Sequence, residues 1–334
     1  MAYDGKILRR AYQKFEEDRQ QRQERFQSRR ESIFLRQPRL RQIEGELRTT
    51  MSRIIASALR RGTDPLPAVE VLKEENLGLQ EEKRRLLAQM GLPEDALEEK
   101  PACPLCGDSG YRGGQVCRCL RKYYAREQQK ELSRMLDLGG QSFETFSLSW
   151  YSDTYDPALG ISPRKNMARI LEICRSYAET FSQDSGSLLL TGDPGLGKTF
   201  LSAAIARVVS GDGWSVVYDT AGRIFQRFEA QKFGREEGDG ASADVERVLG
   251  CDLLILDDLG TEMTTAFVQS ALYQIVNTRL LEKRPTILST NLKVEALHSR
   301  YSPQIASRIE GEYQILPFFG EDIRRLKRES GLIP

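Results

Sequence analysis

The sequence predicts an α/β fold built on a mostly parallel, doubly wound sheet. From Ser187 onward, short apolar runs alternate with segments of helical length, as in successive βα units. Two of these runs end in polar residues of the kind that bind ligands at the carboxyl edge of a parallel sheet. The predicted strands are Ser187–Leu190, Ser215–Tyr218, Leu253–Leu256, Thr286–Ser289 and Tyr313–Leu316, and the clearest helices are Lys198–Ser210 and Ala266–Glu282.

The part of the chain before this sheet is predicted to be largely helical. Residues 1–100 are rich in Arg, Glu, Gln and Leu, with helix breaks expected at 62–67 and at Pro93. Further helices are expected at 121–137 and 164–181, and an exposed loop at 234–243. We therefore divide the chain into a helical region (1–100), a cysteine-rich element with a linker helix (101–137) and an α/β domain (138–334).

Composition narrows the class of protein. The chain has 334 residues, 40% of them hydrophobic and 29% charged, and no apolar run approaches the ~18 residues needed to span a bilayer. The first ten residues do not resemble a secretory signal, so we expect a cytoplasmic protein without a membrane partner.

Residues 1–60 hold fifteen Lys or Arg against eight Asp or Glu. This excess indicates either attraction to nucleic acid or a solvated helical face, and charge alone favours the latter.

The strongest motif follows the first predicted strand. It fits the pattern GxxxxGK[ST] and lies between a strand and a helix, as a phosphate-binding loop requires. Its glycines let backbone N–H groups surround phosphates, Lys198 supplies positive charge, and Thr199 offers a hydroxyl to Mg²⁺. The predicted ATP-binding residues are Gly192, Asp193, Pro194, Gly195, Leu196, Gly197, Lys198 and Thr199.

Two further strands are predicted to deliver polar groups to the same edge. Leu253–Leu256 is followed by Asp257 and Asp258. Asp257 lies 59 residues after Lys198 in the sequence. We expect Asp257 to hold Mg²⁺ through a water molecule and Asp258 to act as general base toward the attacking water. Asn291 follows Thr286–Ser289 and is predicted either to contact that water or the γ-phosphate, or to form a turn.

Four of the six cysteines lie within seventeen residues, as Cys103-x₂-Cys106 and Cys117-x-Cys119. Four thiolates suit a closed, structural Zn²⁺ site, and the glycines between the pairs let the chain fold back. A redox dithiol and an iron–sulfur cluster remain as alternatives. Cys174 and Cys251 are expected to be buried apolar residues.

Taken together, these motifs resemble the AAA+ ATPases. The segments LLLTGDPGLGKT, LLILDDLGTE, LYQIVNTRL, PTILSTNL and IASRIEG are similar to the DnaC/DnaI-type replicative helicase loaders and to the related IstB transposition helper. The segment CPLCGDSGY…CRCL resembles a cysteine-rich element of DnaI-like loaders, which favours a loader over a transposition helper.

The resemblance implies an AAA+ P-loop domain with a reduced lid and two further catalytic residues. Arg308 matches the arginine finger that reaches a neighbour's γ-phosphate, and Arg324 matches the second sensor position. Each arginine has the alternative of a surface ion pair. Most AAA+ proteins have Glu where Asp258 stands, so slow hydrolysis is expected.

The implied function is the ATP-dependent loading of a hexameric replicative DNA helicase at the initiation of DNA replication. The implied cofactors are ATP, Mg²⁺ and Zn²⁺, and the implied partners are the helicase, single-stranded DNA and other copies of the chain in head-to-tail contact. Two alternatives remain open: a transposition-helper ATPase that acts on duplex DNA, and a nucleotide-gated binding scaffold that hydrolyses little.

Overall fold

The computed structural model describes residues 3–58, 66–136, 140–157, 160–234 and 240–331. The chain divides into two compact units, one formed by residues 1–13 with 116–334 and the other by residues 14–115. The larger unit contains every predicted nucleotide-binding residue.

Residues 14–115 are mainly helical. The helices in the first hundred residues are α1 (Gly5–Arg36), α2 (Pro38–Ala58) and α3 (Leu66–Gln89), and a small hairpin follows with strands β1 (Tyr111–Arg112) and β2 (Gln115–Val116). Leu40 and Leu87 are fully buried in a small core with Ile33 and Leu97. Several arginines of α1 and α2 pair with nearby acids, among them Arg30 with Glu44 and Arg39 with Glu82.

The larger unit is built on a five-stranded parallel sheet. Its strands are β3 (Ser187–Thr191), β4 (Val216–Thr220), β5 (Leu253–Leu259), β6 (Thr286–Thr290) and β7 (Tyr313–Pro317), in the spatial order β4-β5-β6-β3-β7. All four neighbouring pairs are parallel. Its helices are α4 (Arg118–Leu136), α5 (Pro163–Glu179), α6 (Lys198–Gly211), α7 (Ala221–Phe233), α8 (Gly240–Gly250), α9 (Ala266–Leu281), α10 (Val294–Arg300), α11 (Pro303–Glu312) and α12 (Ile323–Glu329).

The sheet has an apolar core on each face, because successive side chains of a strand point to opposite sides. Leu253 and Ile255 pack on the face that is covered by α5 and α6. Leu254 and Leu256 pack on the other face, with residues of α7, α8, α9 and α11. Helices on both faces of a parallel sheet confirm the predicted doubly wound α/β fold.

The five predicted strands are confirmed, with ends that differ by up to three residues. The predicted break at Pro93 agrees with the end of α3 at Gln89. The expected break at 62–67 lies mostly outside the described residues. Residues 235–239 of the expected loop at 234–243 also lie outside them. The remainder of that loop prediction is wrong from residue 240, where α8 begins.

Capping explains two of the helix starts. Both α5 and α11 begin at a Ser-Pro pair, in which the serine hydroxyl accepts a backbone N–H three residues ahead. In the described part of the chain, α12 is the one helix that follows β7. None of the described helices combines the length and the apolar character that a membrane span requires.

Candidate functional site

The phosphate-binding loop has the backbone shape that its sequence predicts. It connects β3 to α6, and both Gly192 (φ 139°) and Gly197 (φ 94°) adopt conformations that favour glycine. A Cβ atom on Gly192 would lie 2.1 Å from the carbonyl oxygen of Phe318, so this position also has no room for a side chain. The loop therefore directs the N-terminus of α6 at the space above it, where backbone N–H groups favour an anion.

Lys198 lies at the first position of α6 and is only 5% exposed. Its Nζ donates to the carbonyl oxygens of Gly192 (2.5 Å) and Asp193 (2.7 Å). Burial lowers the pKa of Lys198 to about 8, although the carboxylates of Asp257, Asp258 and Asp193 oppose that shift. A phosphate group at the loop favours the charged form of this amine.

The end of β5 carries both predicted aspartates. Asp257 is buried, and its Oδ2 accepts the hydroxyl proton of Tyr218 (2.9 Å) while its Oδ1 accepts the backbone N–H of Asp258 (3.0 Å). Asp258 has a positive φ of 54°, a strained conformation for a residue with a side chain. Burial and the adjacent Asp257 raise the pKa of Asp258. The strand thus ends in one fixed carboxylate and one carboxylate of raised basicity.

The predicted residues Asn291 and Arg324 line the same cavity as Lys198, Thr199 and Asp258. The cavity measures about 400 Å³, within the size range of small-molecule sites, about 300–1,000 Å³. Its lining residues are Gln141, Thr145, Phe146, Ser147, Trp150, Tyr151, Pro194, Gly195, Gly197, Lys198, Thr199, Phe200, Asp258, Thr261, Asn291, Ile323, Arg324 and Lys327.

Helix α12 brings Arg324 to the cavity through contacts with the loop. Asp322 caps α12 by accepting the N–H of Arg324 (2.8 Å), and the N–H of Ile323 donates to the carbonyl oxygen of Gly195 (3.1 Å). A Cβ on Gly195 would lie 1.9 Å from Asp322 Oδ1. Glycine at this position therefore permits the close approach of α12.

Arg308 lies elsewhere on the unit. It belongs to α11, where its guanidinium stands 5.7 Å from the ring centroid of Tyr273 on α9. It is not among the described residues that line the cavity. The structure thus brings Asn291 and Arg324 to the cavity and leaves Arg308 outside it.

Several cavity residues were missed as functional residues in the sequence. Phe146, Trp150 and Tyr151 stand close together before the α/β segment, which is a sequence signal, but their role depends on the folded chain. Tyr151 donates its hydroxyl to the carbonyl oxygen of Leu196 in the loop (2.8 Å). Lys327 lies 5.7 Å from the ring of Trp150. These residues give the cavity an aromatic wall, of which Phe146 and Tyr151 lie directly against the phosphate loop at Gly197.

The donor atoms present fit Mg²⁺. The carboxylate of Asp257 and the hydroxyl of Thr199 are hard oxygen donors, and Mg²⁺ is usually held by one or two such groups together with substrate phosphates. The cavity, the loop glycines and Lys198 fit a nucleoside triphosphate by the same reasoning.

The four clustered cysteines come together. The sulfur atoms of Cys103, Cys106, Cys117 and Cys119 all lie within 4.8 Å of one another. A tetrahedral Zn²⁺ with Zn–S bonds of about 2.3 Å places its sulfur ligands about 3.8 Å apart, so this arrangement fits the ion. Cys174 and Cys251 are fully buried, as predicted.

Asp108 organises the first half of the cysteine element. Its carboxylate accepts the backbone N–H groups of Ala102 (2.9 Å) and Cys103 (2.7 Å). Arg22 lies 3.4 Å from the same carboxylate. These bonds lower the pKa of Asp108, against the effect of its own burial, and they fix the turn that carries the first pair of cysteines.

A glycine-rich loop between a parallel strand and a helix, with two aspartates on a nearby strand, defines a P-loop nucleotide-binding domain. Comparison with known proteins shows which proteins this domain is similar to. Residues 164–317 match the family described as IstB-like ATP binding protein.

Two curated relatives are the replicative helicase loader DnaC of Escherichia coli K12 and the putative insertion sequence ATP-binding protein y4pL of Sinorhizobium fredii. DnaC is 29% identical over 139 residues, which are 42% of this chain and 56% of that protein. The second is 31% identical over 150 residues, 43% of this chain and 59% of that protein. A crystal structure of the DnaC helicase loader superposes with a TM-score of 0.44 at 21% identity, covering 54% of this chain and 97% of that one.

Residues 164–317 are thus similar to IstB-like ATP-binding proteins, and the predicted resemblance to DnaC and to ATP-binding proteins of insertion sequences is confirmed. The chain spans less than two thirds of the length of the two curated relatives.

Proposed function

We propose that this protein is an AAA+ ATPase that binds Mg·ATP in the cavity at the carboxyl edge of its sheet and hydrolyses it. The supporting observation is that Lys198, Thr199, Asp258, Asn291 and Arg324, which are distant in the sequence, line one cavity. Few functions other than nucleoside triphosphate binding require this combination at the N-terminus of a helix.

Each residue has a distinct task in this proposal. Lys198 places its ammonium against the β- and γ-phosphates, and Thr199 and Asp257 hold Mg²⁺. The ion, when bound, offsets the charge that develops on the phosphate oxygens. Asp258 orients the attacking water and accepts its proton, a role that suits a carboxylate of raised pKa. Asn291 contacts that water or the γ-phosphate, and Arg324 contacts the nucleotide from α12.

ATP turnover tests the first half of the proposal. Wild-type protein should hydrolyse ATP in the presence of Mg²⁺, whereas Lys198→Ala should lose nucleotide binding because it removes the buried cation of the loop. Lys165→Ala is the matched control, since it removes a lysine of α5 that does not line the cavity. Equal affinity of wild type and Lys198→Ala for ATP would exclude this site.

We further propose that the ATPase acts as a loader of the replicative helicase. It would bind single-stranded DNA and assemble head-to-tail, with ATP at the interfaces between copies. Support comes from the DnaC relative and from the cysteine element, which resembles that of DnaI-like loaders. We assign one structural Zn²⁺ to the four cysteines and partner binding to residues 1–100.

A loading assay tests this role with the full chain. A circular single strand carrying a short annealed, labelled oligonucleotide is mixed with the replicative helicase of the source cell. Because a closed circle offers no free end, addition of this protein with ATP should increase release of the oligonucleotide. Lys198→Ala should give no increase. Unchanged release with the wild-type protein would contradict the loader role.

The second candidate is a transposition-helper ATPase, which is favoured by the match to the putative insertion sequence protein. Binding to labelled DNA separates the two candidates. A loader should prefer single-stranded DNA in the presence of ATP, and a transposition helper should prefer duplex DNA. The nucleotide-gated scaffold predicts ATP binding with no turnover in a single-turnover assay, with or without single-stranded DNA.

A further inference from the structure

Tyr218 lies where the two parts of the Mg²⁺ site meet, and the sequence motifs assign it no role. It is on β4, the strand beside β5, and is 1% exposed. Its hydroxyl is 2.9 Å from Oδ2 of Asp257 and 3.4 Å from the backbone carbonyl oxygen of Thr199. The buried hydroxyl of Tyr218 therefore contacts both β5, which carries Asp257, and α6, which carries Thr199. These two residues are the proposed protein ligands of Mg²⁺.

The charge of the site fixes the direction of this hydrogen bond. An ionised carboxylate offers only acceptor oxygens, so the hydroxyl of Tyr218 is the donor in its bond to Asp257. The backbone N–H of Asp258 donates to the other oxygen of Asp257. With one donor on each oxygen, the plane of the Asp257 carboxylate is set before any ligand arrives.

We infer that Tyr218 is a positioning residue for Mg²⁺, which orients the Asp257 carboxylate and fixes its place relative to the helix that carries Thr199. The inference rests on the proposed binding of Mg·ATP and adds a residue to it. A metal ion gains from ligands that are already oriented, and loss of such an outer partner typically weakens metal binding about 10- to 100-fold.

The test is Tyr218→Phe in the full-length protein, with binding of a fluorescent ATP analogue measured at increasing Mg²⁺. Phenylalanine keeps the buried ring and removes only the donor. The Mg²⁺ concentration for half-maximal binding should rise at least about tenfold, while affinity for the analogue in EDTA should stay unchanged. Tyr177→Phe is the matched control, because it removes a hydroxyl that donates to the carbonyl oxygen of Gly186 (3.0 Å), before the start of β3 and outside the cavity lining.

A double variant shows whether Tyr218 acts through Asp257. In an Asp257→Asn background, Tyr218→Phe should change the Mg²⁺ requirement less than about twofold, because the group that it orients is already altered. Circular dichroism checks that each variant is folded. If Tyr218→Phe alone does not fold, comparison of the double variant with Asp257→Asn decides, and a further large loss in the double variant overturns the inference.

The outcomes separate the inference from the function on which it rests. Wild-type binding that depends on Mg²⁺, with the same dependence in Tyr218→Phe, overturns the positioning role and leaves the ATPase proposal intact. Wild-type protein that binds no nucleotide, or binds it without any effect of Mg²⁺, overturns the proposed function. Equal losses in Tyr218→Phe and Tyr177→Phe would also reject a specific role for Tyr218.

Discussion

Arg279 provides a quantitative test of how the sheet is held together. The side chain is fully buried, and its guanidinium donates to five oxygen atoms. Nε donates to Thr286 Oγ1 (2.8 Å), Nη2 to the carbonyl oxygen of Pro285 (2.7 Å), and Nη1 lies 3.0 Å from three carbonyl oxygens, those of Val248, Leu249 and Cys251. One side chain thus ties the end of α9 to the starts of β5 and β6.

We predict that Arg279→Met lowers the free energy of unfolding by about 4 kcal/mol. Four N–H groups serve these five oxygens, hydrogen bonds from a charged donor contribute about 1.5–3 kcal/mol each, and most of their sum is offset by the cost of burying the guanidinium. Methionine fills much of the same volume but satisfies none of the acceptors. A loss of this size is a large part of the usual stability of a domain, about 5–15 kcal/mol.

Urea unfolding followed by tryptophan fluorescence measures this loss. Both tryptophans, Trp150 and Trp214, lie in the larger unit, so the signal reports on the sheet that Arg279 supports. The midpoint should fall with little change in the slope of the transition. Arg284→Met is the control, because Arg284 is partly exposed and should cost about 1 kcal/mol or less. A loss below about 1 kcal/mol in Arg279→Met would refute the reasoning.

Three further predictions concern the site. Asp258→Asn should keep ATP binding and lose turnover, because it removes the base but not the phosphate contacts; turnover at the wild-type rate would contradict the assignment. Purified protein should contain one Zn²⁺ per chain by elemental analysis, and Cys103→Ser should lose it, whereas zinc-free protein with fully titratable thiols would contradict the site. Mixing Lys198→Ala with Arg308→Ala should restore part of the ATPase activity, since one subunit then supplies the finger and the other the pocket. No recovery in demonstrably mixed assemblies would reject action across the interface.

The sequence predicted those parts of the site that depend on neighbouring residues. The glycine loop is followed at once by Lys198 and Thr199, so its strand–loop–helix context is readable without the fold. Asp257 and Asp258 were predictable for a similar reason, because an apolar run delivers them to one edge of a parallel sheet. The alternation of apolar runs and helices likewise predicted the sheet itself.

Contacts that depend on the order of the strands in the sheet could not be predicted from neighbouring residues in the sequence. Tyr218 belongs to a predicted strand, but its partner Asp257 is decided by β4 lying beside β5, which alternation alone does not specify. The contact between Gly195 and Asp322 joins residues 127 positions apart, so only the folded chain explains that glycine. The break between α1 and α2 at Gln37 was also missed, although Pro38 at the start of α2 is a helix-start signal.

The backbone at Asp258 bears on the expectation of slow hydrolysis. A side chain one methylene shorter than Glu reaches less far, but the positive φ of Asp258 changes the direction in which this side chain leaves the strand. The segment after it is held in place, since Thr290 donates its hydroxyl to the carbonyl oxygen of Leu259 (2.6 Å) and Gly260 donates its N–H to Glu262 (2.8 Å). The strained conformation is therefore supported by fixed neighbours, and the position of the carboxylate depends on the backbone as well as on chain length.

The two arginines implied by the resemblance, Arg324 and Arg308, differ in whether they line the cavity of their own chain. Arg324 reaches the cavity because α12 is joined to the phosphate loop at Gly195, so in the proposed ATPase it would contact nucleotide bound by its own chain. Arg308 lies over Tyr273 and is not among the described residues that line that cavity. A role for Arg308 in hydrolysis therefore requires that α11 of one copy face the cavity of another. Such a contact joins two different surfaces and repeats head-to-tail, which makes the assembly of several copies a condition of catalysis by Arg308.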